Sequence, residues 1–349
     1  MRMYPYRHFF YCLIIFILIA CNENLLGSDE ELGGNEADQS GTENNSNSSS
    51  NSSSGSSSNI NEMMCGDPYE EELPNMDVNI DDLVTSYNPQ NASSFLVDAL
   101  QQRYPVGAYL VENGMQSRLG DCVDFFLFDQ SSAQSIIEQV SLLVHECGHF
   151  VDIDASGFSD STYIITPDIS INCTQGDTTS RGGDTFARSL LNNDDYALPV
   201  CQQGGGCDFY RDVYLDGDAN NDEFEGGDQG YNSVLEETLQ YINSIAVSYA
   251  FSNELTGRFM SERDGILTFL WYTTRYLRMA RLDYPQAYER ISGDACWRDL
   301  TLTLWDRAWF YLDASAGLAH LGIYDDEIEA RLQPELLEEI DRLRALQCQ

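Results

Sequence analysis

Apolar residues recur at two different periods along this chain, and the change of period divides it. Between Asp129 and Asp152, Ile136, Val140, Leu143 and Cys147 fall at helical spacing, and Ile137 and Val144 widen the stripe. Ser131 with Gln134 three positions on fits a capping box at the start of that run, and no proline interrupts it. The stretch 231–251 repeats the pattern. Leu235, Leu239, Ile242, Ala246 and Tyr249 share one face there, and Ser233 with Glu236 fits a second capping box. Three more helical stretches follow: 256–291 with a break at Pro285, 297–316, and 325–346 with a break at Pro334. Residues 162–173 instead alternate β-branched and aromatic residues with polar ones. They read as strand, and Pro167 suggests a sheet edge. Upstream, 92–103 suits a helix, while 106–112 and 123–129 suit strands. The expectation is an α+β fold. A small N-terminal sheet and a long helix occupy 65–152, a loop-and-strand insertion 153–230, and a mainly helical lobe 231–349.

The N-terminus follows neither period. Arg2 and Arg7 precede an apolar run over 9–20, which is too short to span a bilayer comfortably. Leu18-Ile19-Ala20-Cys21 then resembles the lipobox of bacterial lipoproteins. That resemblance implies a signal peptide over 1–20, lipid on Cys21 and attachment to a bacterial membrane. Asn22, next in the chain, implies by the same resemblance the outer membrane or cell surface rather than retention at the inner membrane. Residues 21–64 are dominated by Ser, Asn and acidic residues. They cannot bury enough surface to offset the entropy of ordering, so they read as a tether with a reach of about 35 Å. A head of roughly 285 residues remains, enough for one large domain or two lobes.

Charge and cysteine narrow the picture further. Fifty-seven acidic residues face 18 Arg, with no Lys at all, for a net charge of −39. Such a chain is a poor partner for nucleic acid and for electrostatic docking on anionic lipid. Of ten cysteines, Cys12 lies in the signal and Cys21 is the lipid site, which leaves eight. An even number in an exported head suggests up to four disulfides. Cys201 and Cys207 flank three glycines and could close a small loop. Cys348 is placed to staple the tail, with Cys296 as its candidate partner.

The candidate chemistry lies in Val144-His145-Glu146-Cys147-Gly148-His149-Phe150, a H-E-x-x-H motif on the first long helix. Residues i and i+4 of a helix share a face, so His145 and His149 can grip one Zn2+. Glu146 can then act as general base on a water. Cys147, at i+2 from His145, points to another face and suits a buried or disulfide-bonded role. Gly148 is reasonable if another element packs close to the metal face.

The motif resembles that of the zincin metallopeptidases, whose families differ in the third metal ligand. The metzincin pattern would need Gly and His where this chain has Asp152 and Ala155, and the aspzincin Gly-Thr-x-Asp pattern is not found. Gluzincins use a Glu on a second helix. That resemblance implies Glu237 as the third ligand, with Glu236 as the alternative, because Glu236 also has a capping role open to it. The 88 positions from His149 to Glu237 would then hold an insertion that rims the cleft. In zincins an edge strand beside the helix holds extended substrate, and the resemblance lends that role to 162–173. His320 has three open roles: stabiliser of the transition state, third ligand in place of Glu237, or structural residue. Asp216, Asp218, Asn220 and Asp222 resemble the oxygen ligands of an EF-hand-like loop. Asn221 and Gly227 depart from its pattern, so a Ca2+ site and a metal-free acidic turn both stay open. The functional expectation is a membrane-anchored zinc metallopeptidase acting on protein or peptide substrate. Its alternative is a non-catalytic surface lipoprotein with a structural or degenerate metal site.

Overall fold

A computed structural model describes residues 69–157, 160–174, 230–255 and 260–348. The chain divides into two units, 1–60 and 61–349. The signal segment, Cys21 and the tether lie outside the described residues, as do Cys201, Cys207 and the acidic loop of Asp216, Asp218, Asn220 and Asp222. No helix among the described residues is long and apolar enough to cross a membrane.

The second unit is mainly helical with one small antiparallel sheet, an α+β arrangement in the general sense. Its first part differs from expectation, because the described residues ahead of the motif hold no sheet. They run α1 (Asp81–Thr85), α2 (Ala92–Arg103), α3 (Pro105–Gly114), α4 (Cys122–Phe126) and α5 (Ala133–Ile137). Residues 106–112 are helical because Pro105 sits at N1, where its fixed φ starts a helix and its missing N–H costs nothing. The buried positions of α3 are Gly107, Ala108, Leu110, Val111 and Gly114, a helical spacing rather than an alternation. At 123–129, Asp121 overrides the β-branched and aromatic residues. Its carboxylate accepts hydrogen bonds from the Val123 and Asp124 amides at 2.9 and 3.2 Å and caps α4.

The motif helix is shorter than its pattern. Ser132, not Ser131, is the cap that forms, accepting from the Ser135 amide at 3.0 Å at the head of α5. The helix then breaks at Glu138–Gln139. The Gln139 side chain donates to the carbonyls of Asp129 and Ser135, both at 2.7 Å, and accepts from the Phe128 amide at 2.9 Å. These bonds satisfy backbone groups at the bend, and α6 (Val140–Ala155) starts afresh beyond it.

From Val140 to Asp152 every residue of α6 except Leu142 is buried. A helix buried all round belongs to the interior rather than to a surface layer. Among the helices its principal neighbours are α3, α4 and α7 (Gly230–Ala250), and α7 is buried almost as completely. Around α7 pack α8 (Glu262–Asp283) and α10 (Ala295–Ala314). The short α9 (Pro285–Gly293) links those two, and α11 (Asp325–Glu329) and α12 (Pro334–Gln347) close the outer side.

Two disulfides brace this core, Cys122–Cys147 from α4 to α6 and Cys173–Cys296 from the sheet to α10. The second corrects the expected Cys296–Cys348 pairing. The hairpin brings Cys173 to the head of α10 first, and Cys348 is disulfide-bonded elsewhere.

The sheet is a hairpin of β1 (Asp160–Thr166) and β2 (Ile169–Thr174), with Pro167 in its turn rather than on a strand edge. Its outer edges are partly occupied. The Thr162 and Ile164 amides donate outward to Ser156 Oγ and Asp152 Oδ1 of the α6 end, both at 2.9 Å. Arg290 of α9 donates to the Thr174 carbonyl at 3.1 Å. Two of the β1 amides that an added substrate strand would need are therefore already bonded, one to the motif helix and one to its C-cap.

Candidate metal centre

The crossing of α6 and α7 brings the candidate residues together. Gly148 makes the close approach possible, since a Cβ there would lie 1.9 Å from Gln240 Oε1. His145 and His149 stand one turn apart on α6 with ring centroids 4.8 Å from each other. Glu237 of α7 faces both. Its Oε2 is 3.4 Å from His145 Nε2 and its Oε1 is 3.5 Å from His149 Nε2. One donor atom from each of the three residues lies within 4.8 Å of the others, and all three residues are buried.

The imidazoles are held from behind. His145 Nδ1 is 3.1 Å from Ser244 Oγ, and His149 Nδ1 is 2.7 Å from the Glu236 carboxylate. A carboxylate only accepts, so His149 donates its Nδ1–H to Glu236 and points Nε2 at Glu237. That Nε2 is buried without a hydrogen-bond partner among the described residues. An imidazole nitrogen without a hydrogen bond, beside a second imidazole and a carboxylate, fits a divalent cation such as zinc. Glu236 therefore does something other than capping. The helix begins at Gly230, which puts Ser233 and Glu236 inside it, and Glu236 faces His149.

Electrostatics set the cluster apart. Glu146 is 1% exposed, with one oxygen unpartnered. Burial pushes its carboxyl up to about 7, with Glu237 and Glu236 adding to the shift against the two histidines. For His149 burial acts downward, but the facing Glu236 and Glu237 carboxylates outweigh it and raise the imidazole to about 10. Asp152 is raised well above the usual carboxylate range by burial and by the charge of Glu236. Tyr241 sets its ring edge-on to His145 at 5.0 Å and stacks on Phe269 of α8. Gly265 makes room for it, since a Cβ there would lie 2.3 Å from the Tyr241 ring.

His320 lies elsewhere. It sits in a short 3-10 turn whose backbone carbonyl accepts from Met260 at 2.7 Å, and it is not one of the clustered donors. Cys147 is bonded to Cys122 and turned away from the histidines. Asp152, Gln240 and Ser244 are the residues that sequence reasoning missed. Gln240 and Ser244 had a signal, a polar stripe of Glu236, Gln240 and Ser244 at intervals of four on α7, whereas Asp152 had none.

Compared with known protein families, curated proteins and solved structures, the chain finds no match, so the site stands on its own geometry.

Proposed function

We propose that this protein is a zinc-dependent peptidase, with His145, His149 and Glu237 holding the metal and Glu146 as general base. One observation carries the reading: two imidazoles one turn apart, each anchored at Nδ1, direct Nε2 to a buried carboxylate on a second helix. The order of these residues supports a gluzincin-like arrangement, on a lipoprotein anchored through Cys21. Zinc, when bound, supplies a Lewis acid for the scissile carbonyl and lowers the pKa of a water. Glu146 takes the water proton and delivers it to the leaving amine. Glu236 keeps His149 in the tautomer and ring orientation that leave Nε2 open.

The test uses the purified full chain. Zinc content near one per chain and casein hydrolysis are expected, with hydrolysis lost and zinc kept in Glu146→Ala. Wild-type hydrolysis in Glu146→Ala would refute the mechanism, and absence of zinc would refute the site. A second reading has one observation in its favour. Among the described residues, two outward amides of β1, the strand beside the motif helix, are already bonded to the end of that helix, as a binding module with a structural metal would allow. It predicts bound zinc with no hydrolysis.

A further inference from the structure

Behind the candidate metal centre runs a chain of side chains whose hydrogen bonds all point one way from Arg307 to Glu236. Arg307 of α10 can only donate, and its Nη1 gives to Asn243 Oδ1 at 3.0 Å. That fixes the Asn243 amide, whose Nδ2 gives to Gln240 Oε1 at 3.0 Å. The Gln240 amide is fixed in turn. Its Nε2 gives to Asp152 Oδ2 at 3.0 Å and to Glu236 Oε1 at 3.2 Å, and Glu236 receives His149 Nδ1. Arg307, Asn243, Gln240 and Asp152 are all buried. The far end is closed by Glu71, which pairs with Arg307 Nε at 2.8 Å.

We propose that Gln240 is a positioning residue for the metal centre, and that Arg307, through Asn243, sets the direction in which its amide points. This rests on the zinc reading above. An amide at 240 stabilises the buried Asp152 carboxyl and the half-buried Glu236 carboxylate without bringing a cation beside them. Glu236 therefore remains a full acceptor for His149, where a Lys or Arg at 240 would compete for it. The polarity has one sense only. An acceptor-only side chain at 243 would turn the Gln240 amide round and aim its oxygen at Glu236 and Asp152. The same placement accounts for Gly148 in the motif, since the space a Cβ would take is filled by the Gln240 amide.

Zinc dissociation constants of the full chain, measured by competition with a chromophoric chelator beside melting curves of the metal-free protein, test this. Gln240→Ala is expected to bind zinc about ten-fold more weakly. Gly148→Ala, which displaces Gln240, is expected to lose both stability and zinc affinity. In the double variant the new methyl enters the vacated space, so stability recovers relative to Gly148→Ala while zinc affinity stays at the Gln240→Ala level. Asn243→Asp, nearly the same shape, is expected to weaken zinc as well, and it decides the matter if the Gly148 variants fail to fold. Wild-type zinc affinity in Gln240→Ala or Asn243→Asp, or its return in the double variant, overturns the proposal. If the wild-type chain binds no zinc, the underlying reading fails with it, and the two failures are distinct.

Discussion

Two buried polar assemblies meet on α7, and they are finished differently. At the Arg307 end every group is engaged. The guanidinium reaches Glu71, Tyr104 and Asn243, and Tyr69 and Tyr311 donate to the same Glu71 carboxylate. At the histidine end, His149 Nε2 and one oxygen of Glu146 have no hydrogen-bond partner among the described residues. Leaving buried polar atoms unmade costs about 1–3 kcal/mol each, so the incomplete end is where a ligand is expected. The contrast teaches that buried charge alone does not mark a site. A closed ion-pair network belongs to architecture, and the open one is the candidate for chemistry.

The largest expected effect falls on the closed end. Arg307→Met strands Glu71 and should destabilise the chain by about 3–5 kcal/mol, read from the midpoint of urea unfolding. A loss below about 1 kcal/mol would show that the network is not architectural. Next comes the brace under the motif helix. Replacing Cys122 and Cys147 by Ala opens a loop of 25 positions and should cost about 3 kcal/mol by the same measure, with the residual zinc affinity reporting how far α6 has shifted.

The third effect belongs to the open end and is conditional. Free zinc at about a hundred times its dissociation constant should add about 2.7 kcal/mol, and a chelator should remove it. His149→Ala should show no zinc-dependent gain, while Arg307→Met, if it still folds, should keep a good part of it. The smallest effect is at Ser244. Ser244→Ala frees His145 Nδ1 and should weaken zinc about ten-fold with little change in the metal-free melting temperature. A larger change in stability than in affinity would place Ser244 with the closed network instead.

The readings that survived rested on local rules. Positions i and i+4 share a helix face wherever the helix sits, so His145 and His149 were paired before any fold was known. The polarity of the second long helix likewise offered Glu236 and Glu237 together, though not which of them faced both rings. The strand expectations at 106–112 and 123–129 failed because they weighed composition over caps. Pro105 and Asp121 set the backbone there, and tertiary packing then buried small residues at helical spacing. Ser233 and Glu236 looked like a cap because a three-residue spacing repeats anywhere along a helix. Only the start at Gly230 puts them inside it.

By itself the sequence determined the pairing of two histidines with a glutamate, the apolar stripe on each helix that carries the candidates, and the placing of Cys147 away from the histidines. Each follows from helical geometry and hydrophobic periodicity, which act over a few residues. Tertiary structure alone decided that Glu237 faces both imidazoles while Glu236 holds one from behind, that Cys296 joins Cys173, and that Gln240 takes the space over Gly148. Those choices depend on the angle and depth at which α6 crosses α7. That crossing is set by side-chain volumes and hydrogen-bond directions from distant segments, such as Glu71 and Arg307, 236 positions apart, and no local pattern encodes it.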